Sequence, residues 1–494
     1  MSMTKELQLL EKINKLKSKN KVYTHDPYRL CYHLSPPFGL MNDPNGLIYF
    51  HGRYHVFYQW NPFETNHGIK FWGHFSSTDL LHWEEQPPAL VPSEWYDKNG
   101  CYSGSAIEHN DKMYLFYTGN VKNQNGERES YQCLAVSEDG IHFEKKGPIL
   151  NVPKGYTPHF RDPKVWRQNG CWYMVIGGQS NSLNGKAVLF SSTDLYHWEM
   201  LGPIAGSNWN GLGEFGYMWE CPDLFQSQGK DILVFSPQGL EPQGLNYKNL
   251  YQSGYFVGHW LPDTNHYEHG EFTELDRGFD FYAPQTFVDH HNRRIMIAWM
   301  GMGDDNERYH PTIEKGWIHA LTIPREIKVI GDHLYQMPIK ELEKLRSGKP
   351  IIINLVLNNE NDEYFMMIQP QSEITINVHS LTNGRLEIMI RNNIKLCYDK
   401  NKNLFIMERK KFDGSGLESR QCMVNQLRKL HMYLDSSSIE IFINDGEEVF
   451  TARFFADSED KTFRISSKAE AFMHLQFHSL LAACQDQKTF DPLC

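Results

Sequence analysis

Three acidic residues, Asp43, Asp162 and Glu220, each stand eight or nine residues before a glycine at which the chain is predicted to turn. If these turns belong to equivalent structural elements, the three carboxyl groups converge in one pocket. Like charges in a narrow pocket repel each other, and this raises the pKa of at least one carboxyl group. A purely structural site gains nothing from that cost, so the pattern predicts a catalytic site.

Two carboxyl groups with separated pKa values can cleave a glycosidic bond. One group, ionised, attacks or stabilises the anomeric carbon, and the other, protonated, donates to the leaving oxygen. The third acid can position sugar hydroxyls. A calcium cage is the alternative, but no loop of regularly spaced Asp and Asn residues accompanies the acids. We therefore expect neither a metal ion nor a cofactor.

Aromatic and amide side chains near the acids favour a sugar substrate, because a sugar ring has an apolar face and many hydroxyls. Each is weak evidence alone, since a tryptophan in a strand packs in the core more often than it contacts a ligand. The candidates are Asn42, Gln59, Trp60, Trp72, Tyr102, Ser103, Trp219 and Trp299.

The elements that would bring the acids together repeat along the chain. A turn followed by a short apolar run recurs five times at intervals of roughly sixty residues, with the turns at Gly52, Asp111, Gly170, Gly229 and Asn292. A second marker, Ser-x-Asp-x-x-His-aromatic-Glu, recurs at 77–84, 137–144 and 192–199. Five such units predict a five-bladed β-propeller, whose innermost strands line a central channel. An ordinary β-sandwich with accidental similarity is the alternative.

The repeat ends after Glu326, and the rest of the chain has a different pattern. Residues 339–346 predict a short helix, and alternating apolar and polar residues in 373–379, 385–390, 431–434 and 439–443 predict a β-sandwich that buttresses the propeller. The predicted fold class is therefore all-β. The predicted domains are an N-terminal helical segment 1–31, a five-bladed β-propeller 32–338, a linker 339–350 and a β-sandwich 351–494.

Composition and charge exclude several functional classes. Lys and Arg number 49 against 60 Asp and Glu, and the net charge of −11 has the wrong sign for a nucleic-acid partner. The longest apolar stretch, near 295–303, is far shorter than the ~20 residues that span a membrane. Residues 1–20 interleave charged and apolar residues, which indicates an amphipathic helix and no signal peptide. Nine cysteines without a CxxC pair favour a cytoplasmic protein.

Three motifs surround the acids: HLSPPFGLMNDPNG at 33–46, FRDP at 160–163 and ECPD at 220–223. In this order they resemble the motifs of glycoside hydrolase family 32, the invertase-type β-fructofuranosidases. The likeness continues in FYQWNP (57–62), YSGSA (102–106), FDFYAPQT (279–286) and LDSSSIEIFINDG (434–446). The resemblance implies a five-bladed propeller followed by a β-sandwich, and a retaining hydrolase that releases fructose from a β-fructofuranoside.

The resemblance also implies a role for each residue that matches a family motif. Asp43 would be the nucleophile, Glu220 the general acid/base and Asp162 the stabiliser of the transition state. Arg161 would help to fix the fructose ring. Further positions that match family contacts to the fructosyl unit are Asn42, Gln59, Tyr102, Ser103 and Trp299.

One departure from the family concerns the leaving-group side of the site. Many members carry a tryptophan where this chain has His67, and the stretch from His67 to Lys70 is similar to the sucrose-6-phosphate hydrolases within the family. We expect His67 and Lys70 to bind the phosphate of sucrose-6-phosphate, although Lys70 could be a solvated loop residue. The alternatives are an enzyme for unphosphorylated sucrose or fructo-oligosaccharides and, in a different class, a non-catalytic carbohydrate-binding propeller.

Overall fold

The computed structural model describes residues 4–20, 26–358 and 362–483. Helix α1 (Lys5–Asn20) lies within the predicted N-terminal helix. The hydroxyl of Thr4 accepts the backbone N–H of Leu7 at its start, and Ile13 is buried against the core of the first sheet. No helix within these described ranges is long and apolar enough to cross a membrane.

Five sheets follow in chain order. The first contains β1 (Gly39–Phe50), β2 (Arg53–Asn61), β3 (Phe71–Ser77) and β4 (Trp83–Leu90). The second contains β5 (Cys101–His109), β6 (Lys112–Lys122), β7 (Arg128–Ser137) and β8 (Glu144–Asn151). The third contains β9 (Tyr156–Gln168), β10 (Cys171–Ser180), β11 (Gly185–Ser192) and β12 (Glu199–Gly206).

The fourth sheet contains β13 (Met218–Ser227), β14 (Lys230–Gln238), β15 (Gly254–Leu261), β16 (His266–His269) and β17 (Thr273–Glu274). The fifth contains β18 (Tyr282–Val288), β19 (Arg294–Met300), β21 (Ala320–Leu321), β22 (Arg325–Ile330) and β23 (His333–Pro338). Between β19 and β21 the chain forms two 3-10 helices, Asp305–Tyr309 and Pro311–Lys315, and β20 (Trp317–Ile318).

The five sheets close into a circle through their first strands. β1 contacts β5, β5 contacts β9, β9 contacts β13, β13 contacts β18, and β18 contacts β1. β20 pairs in parallel with β1, so a segment that follows the fifth sheet's second strand adds to the first sheet. The starts of these five first strands therefore lie around one axis, where their side chains can meet.

The predicted turns at Gly52, Asp111, Gly170, Gly229 and Asn292 all fall between the first and second strands of a sheet. In four of them two consecutive residues have positive φ, which suits the twist of a tight antiparallel hairpin. The second marker is structural: Asp79, Asp139 and Asp194 each accept the backbone N–H groups two and three residues ahead.

Two six-stranded sheets make up the rest of the described chain. One contains β24 (Arg346–Leu357), β26 (Ser372–Leu381), β31 (Lys429–Asp435), β32 (Ser438–Ile443), β33 (Glu448–Arg453) and β35 (Ala471–Leu480). The other contains β25 (Glu363–Met367), β27 (Arg385–Ile390), β28 (Ile394–Asp399), β29 (Leu404–Lys410), β30 (Leu417–Met423) and β34 (Thr462–Ser467). Side chains of both sheets share one apolar core. Because the described residues are mostly strands, the predicted all-β class is confirmed.

The boundary between the two parts differs from the prediction. The expected helix at 339–346 is a 3-10 helix, Lys340–Leu345, and β24 already begins at Arg346, inside the predicted linker 339–350. At the start of β24, Arg346 pairs with Leu480, and a bulge lies between Ser347 and Ile351. Of the predicted domain ranges, residues 1–3, 21–25, 359–361 and 484–494 lie outside the described residues.

A buried charge network joins the two parts. The imidazole of His33, just before β1, lies between Asp435 and Glu440, at 2.8 and 2.9 Å. Arg325 on β22 donates from Nε to Glu440 at 3.0 Å. Burial opposes protonation of His33, but hydrogen bonds to the two carboxylates outweigh it and raise its pKa. Paired charges of this kind hold the start of β1 in a fixed position against the second part.

Candidate active site

Each first strand around the axis has a β-bulge near its start, on the same side of the circle. A bulge sets two residues against one on the neighbouring strand, so that successive side chains can both point into the same space. Proline fits such a position because the ladder needs no N–H there. In four of the five sheets a dipeptide that ends in proline lies at the bulge: Asp43-Pro44, Asp162-Pro163, Cys221-Pro222 and Ala283-Pro284.

The dipeptides show that the three acids do not all occupy equivalent positions on their strands, contrary to what the turns had suggested. Asp43 and Asp162 are equivalent, but Glu220 stands one residue earlier, and Cys221 takes the equivalent place in the fourth sheet. Distances counted from the turns suggested three equivalent acids because the segment between bulge and turn varies by one residue. The predicted convergence does not depend on this, since the bulges bring all three carboxyl groups to one pocket.

The pocket has a volume of about 290 Å³ and is lined by every predicted site residue except Trp60, Trp72 and Trp219. Six residues that were not predicted from the sequence also line it, namely Gly68, Arg128, Gln238, Tyr251, Tyr282 and Gly303. The predicted residues along its wall are Asn42, Asp43, Gln59, His67, Lys70, Tyr102, Ser103, Arg161, Asp162, Glu220 and Trp299.

The prediction that Trp72 contacts the substrate is wrong, because Trp72 does not line the pocket. Its side chain is fully buried, packs against Phe57 and Tyr117, and donates from Nε1 to the backbone oxygen of Tyr102 at 3.0 Å. It fills the space between the first two sheets and does not contact the pocket. Trp60 and Trp219 are likewise core residues.

Asp43 lies at the centre of a hydrogen-bond network. Its Oδ2 accepts from the Ser103 hydroxyl at 2.7 Å, and its Oδ1 accepts from the Asn42 amide at 3.1 Å. Burial, together with the charge of Glu220, raises the pKa of Asp43, and the hydrogen bonds oppose this rise. The fixed oxygen positions suit a carboxylate that attacks a carbon atom held in front of it.

Asp162 is nearly inaccessible to solvent. Its Oδ2 accepts the backbone N–H of Cys221 at 3.1 Å, and its own backbone N–H donates to the Thr118 hydroxyl at 3.1 Å. Burial raises the pKa of Asp162 to about 7, against the attraction of Arg161 and with repulsion from Glu220 and Asp43. The repulsion expected from the sequence therefore acts on Asp162 and Asp43.

Glu220 is held by three side chains. Gln238 donates to its Oε2 at 2.7 Å, the Tyr282 hydroxyl donates to the same oxygen at 2.5 Å, and Arg161 forms an ion pair with Oε1. Burial favours the neutral acid, but the Arg161 cation and the hydrogen bonds outweigh it and lower the pKa of Glu220. The ionised form of Glu220 is therefore the stable one in this structure.

Other side chains offer polar groups for a sugar. The indole Nε1 of Trp299 is buried and has no hydrogen-bond partner among the described residues. A buried donor without a partner is rare and is available for a ligand hydroxyl. Gln59 is oriented by a hydrogen bond from Nε2 to the backbone oxygen of Cys101 at 2.8 Å.

His67 and Lys70 line the pocket, but both already have partners. Lys70 Nζ donates to Asn42 Oδ1 at 2.8 Å, and His67 Nδ1 lies 3.4 Å from the same ammonium. Burial lowers the pKa of Lys70 to about 8, although the charges of Asp43 and Glu307 act in the opposite direction. The predicted role of these two residues in phosphate binding stays a prediction.

One cluster has the composition of a metal site. One ligand atom each from His67, Glu307 and His319 lies within 4.8 Å of the others. Nε2 of both imidazoles contacts the same Glu307 oxygen, at 3.0 and 2.7 Å. A carboxylate oxygen accepts hydrogen bonds, so each Nε2 carries the proton and has no lone pair for a metal. The hydrogen bonds explain the cluster, and the absence of a metal requirement stays a prediction.

Two family profiles match consecutive parts of the chain. The profile described as "Glycosyl hydrolases family 32 N-terminal domain" matches residues 33–338, and "Glycosyl hydrolases family 32 C terminal" matches residues 341–479. The chain belongs to glycosyl hydrolase family 32. This family 32 chain is 50% identical over 468 residues to the sucrose-6-phosphate hydrolase of Bacillus subtilis (strain 168), a match that covers 94% of this chain and 97% of the relative.

Solved structures of family 32 are similar over nearly the whole chain. The sucrose-6-phosphate hydrolase from Lactobacillus gasseri has a TM-score of 0.85 at 29% identity, with 96% of this chain and 97% of that chain covered. The GH32 β-fructofuranosidase of Bombyx mori has a TM-score of 0.83 at 34% identity, with 96% and 99% covered. A variant of the Bombyx mori protein was solved in complex with sucrose.

Proposed function

We propose that this family 32 glycosidase hydrolyses sucrose-6-phosphate and releases fructose. The observation that carries the proposal is the meeting of Asp43, Asp162 and Glu220 in one pocket lined by amide and aromatic side chains. The names of the Bacillus subtilis and Lactobacillus gasseri relatives support the phosphorylated substrate. A β-fructofuranosidase for plain sucrose is the second candidate, because the Bombyx mori relative binds sucrose.

We also infer that the five sheets form a five-bladed β-propeller and that the two six-stranded sheets form a β-sandwich. The closed circle of first strands supports the propeller, and the shared apolar core supports the sandwich. The two family matches, 33–338 and 341–479, support a propeller domain ending at 338. A sugar phosphate substrate supports a cytoplasmic location, and so do the thiols of Cys101, Cys133, Cys171, Cys221, Cys397 and Cys422, which form no disulfide within the described part of the chain.

In the first chemical step, an oxygen of Asp43 forms a bond to the anomeric carbon of the fructosyl unit. The bond from that carbon to the glycosidic oxygen breaks, and Glu220 donates its proton to the departing oxygen. The products of this step are glucose-6-phosphate and a fructosyl ester of Asp43. Asp162 and Arg161 hold fructose hydroxyls, and the indole of Trp299 donates to another.

In the second step, Glu220 takes a proton from water, and the water oxygen bonds to the anomeric carbon. The ester bond to Asp43 breaks, fructose leaves, and both carboxyl groups return to their starting states. Glu220 must be protonated before the first step, although its ion pair with Arg161 favours the ionised form. Bound fructose hydroxyls compete for Arg161, and the glycosidic oxygen excludes water from Glu220; both effects raise the pKa of Glu220.

The carboxyl groups predict a bell-shaped pH dependence of kcat/KM. Asp43 must be ionised, so activity falls in acid at a pH above the ordinary pKa of an aspartate. The pocket must also keep one proton for Glu220. The buried carboxyl groups interact and titrate as a set, and burial raises the pKa of Asp162 to about 7, so we expect activity to fall as the pH rises through about 7. Initial rates on sucrose avoid titration of the substrate phosphate, and activity that rises steadily to about pH 9 would contradict this assignment.

Substrate preference tests the proposed function. We expect kcat/KM for sucrose-6-phosphate to exceed that for sucrose by about tenfold or more, because a phosphate contact to a charged side chain is a strong hydrogen bond. Both substrates are measured with the same enzyme preparation, and fructose and glucose-6-phosphate are identified as products. A preference for plain sucrose would support the second candidate, and no fructose release from either would indicate a non-catalytic protein.

A further inference from the structure

Four cationic or potentially cationic side chains line the pocket, and three of them have polar partners within the protein. Arg161 pairs with Glu220, Lys70 donates to Asn42, and His67 contacts Glu307. The fourth is Arg128, at the start of β7 in the second sheet. Because of these partners, Arg161, Lys70 and His67 have fewer N–H donors and less positive charge available for an anionic ligand.

The side chain of Arg128 is half-buried and forms no hydrogen bond or ion pair with any residue in the described part of the chain. Its guanidinium carbon lies 5.7 Å from the centre of the Tyr102 ring, which itself lines the pocket. Contact with an aromatic face attracts the cation and leaves its N–H groups unused. Arg128 thus presents an oriented and uncompensated positive charge at the pocket.

We propose that Arg128 is the residue that binds the phosphate group of sucrose-6-phosphate, an inference that rests on the proposed function. A phosphate monoester carries almost two negative charges, and the pocket acids and the net charge of −11 repel it. A guanidinium can donate two parallel hydrogen bonds to phosphate oxygens. Arg128 supplies this group on the pocket wall formed by the second sheet.

The surroundings of Lys70 point to a different role for that residue. Its ammonium holds Asn42, whose amide in turn donates to Asp43. A phosphate bound directly to Lys70 would lie close to the Asp43 carboxylate and be repelled by it. Lys70 is therefore a positioning residue for the nucleophile, and Lys70→Met should lower kcat/KM for both substrates by a similar factor.

The test compares Arg128→Gln with the wild type on sucrose-6-phosphate and on sucrose. We expect kcat/KM for sucrose-6-phosphate to fall about 10- to 100-fold and that for sucrose to change less than about twofold. Arg128→Lys should have a smaller loss of kcat/KM for sucrose-6-phosphate than Arg128→Gln, because lysine keeps the positive charge but lacks the paired N–H donors of the guanidinium. Lys122→Gln is the matched control: Lys122 is exposed, pairs in register with Arg128 and does not line the pocket.

A second readout uses inorganic phosphate as an inhibitor of sucrose hydrolysis. Its inhibition constant should rise about tenfold or more in Arg128→Gln and stay unchanged in Lys122→Gln. If the wild type does not prefer sucrose-6-phosphate, the proposed function fails. If the wild type does prefer it, but Arg128→Gln keeps that preference or loses activity equally on both substrates, the role of Arg128 is overturned and the function stands. Should Arg128→Gln not fold, Arg128→Lys decides: we expect it to lose part of the preference for sucrose-6-phosphate and to be inhibited less by phosphate, and an unchanged preference would overturn the role of Arg128.

Discussion

Replacing Asp43 by asparagine should lower kcat for sucrose-6-phosphate hydrolysis by about 10⁴-fold or more, because the amide cannot form the ester to the fructosyl carbon. The other contacts of the side chain are modest. In the variant the Asn42 amide can still donate to the side-chain oxygen, and the Ser103 hydroxyl can accept from the new NH2 group. Steady-state rates with a sensitive assay for released fructose measure the loss.

The stability of this variant separates a catalytic role from a structural one. Because burial raises the pKa of Asp43 in the folded protein, the ionised carboxylate at pH 7 destabilises the fold relative to a neutral side chain. Asp43→Asn should therefore unfold at the same or a higher temperature than the wild type. Asp111→Asn, an exposed aspartate, is the control with full activity. A folded Asp43→Asn protein with a tenth of wild-type activity would show that Asp43 is not the nucleophile.

Replacing Glu220 by glutamine should lower kcat for sucrose-6-phosphate about 10²- to 10⁴-fold through loss of the general acid and base. A substrate whose leaving group departs without a proton tests the general acid and the general base separately, because its first step does not need the acid. With p-nitrophenyl β-fructofuranoside, the first step should proceed, so that nitrophenolate appears in a burst equal to the enzyme concentration, followed by slow turnover. Stopped-flow absorbance measures the burst. Absence of a burst, with equal losses on both substrates, would contradict the assignment of Glu220.

The stability of Glu220→Gln should change in the opposite direction from that of Asp43→Asn. The pKa of Glu220 is lowered in the folded protein, so the ionised form contributes stability above its ordinary pKa, and this is lost as the pH falls. Glutamine removes that contribution, and the carboxyl group of Asp162, at 3.9 Å, is then the acid that remains paired with Arg161. We expect a lower unfolding temperature at pH 7, with the exposed Glu199→Gln variant unchanged.

The three acids could be found from the sequence because each stands at nearly the same distance from one of the repeating turns. Glycine and asparagine mark hairpins whatever the packing, so the five turns identified the sheets. Carboxyl groups before three of those turns then identified the pocket. The turns did not show that Glu220 stands one residue before the position equivalent to Asp43 and Asp162. A bulge adds one residue to a strand, and in the sequence only the proline that follows indicates it.

Other site residues have no comparable signal. Trp72 and Trp299 both lie in strands, and whether an indole faces the pocket or fills the space between sheets depends on packing between distant strands. Tyr282 could have been found by extending the dipeptide alignment to Ala283-Pro284 in the fifth sheet. Arg128 could not have been found from the sequence. Its proposed role rests on a guanidinium without a hydrogen-bond partner among the described residues and on its contact with the Tyr102 ring.

The position of β24 shows a similar limit. Its first residues carry charges and a glycine, Arg346 to Lys349, and in sequence they resemble a linker. Pairing with β35, more than a hundred residues later in the chain, makes them a strand. Non-local pairing of this kind overrides local propensity and is visible only in the structure.

The configuration of the released fructose tests the central claim most directly, because a double displacement through Asp43 retains the anomeric configuration and a single displacement by water inverts it. Sucrose-6-phosphate labelled at the anomeric carbon is hydrolysed inside an NMR spectrometer with enough enzyme to outpace mutarotation. The account predicts that β-fructofuranose appears first and the other anomers later. First appearance of α-fructofuranose would contradict the roles of Asp43 as nucleophile and Glu220 as acid and base.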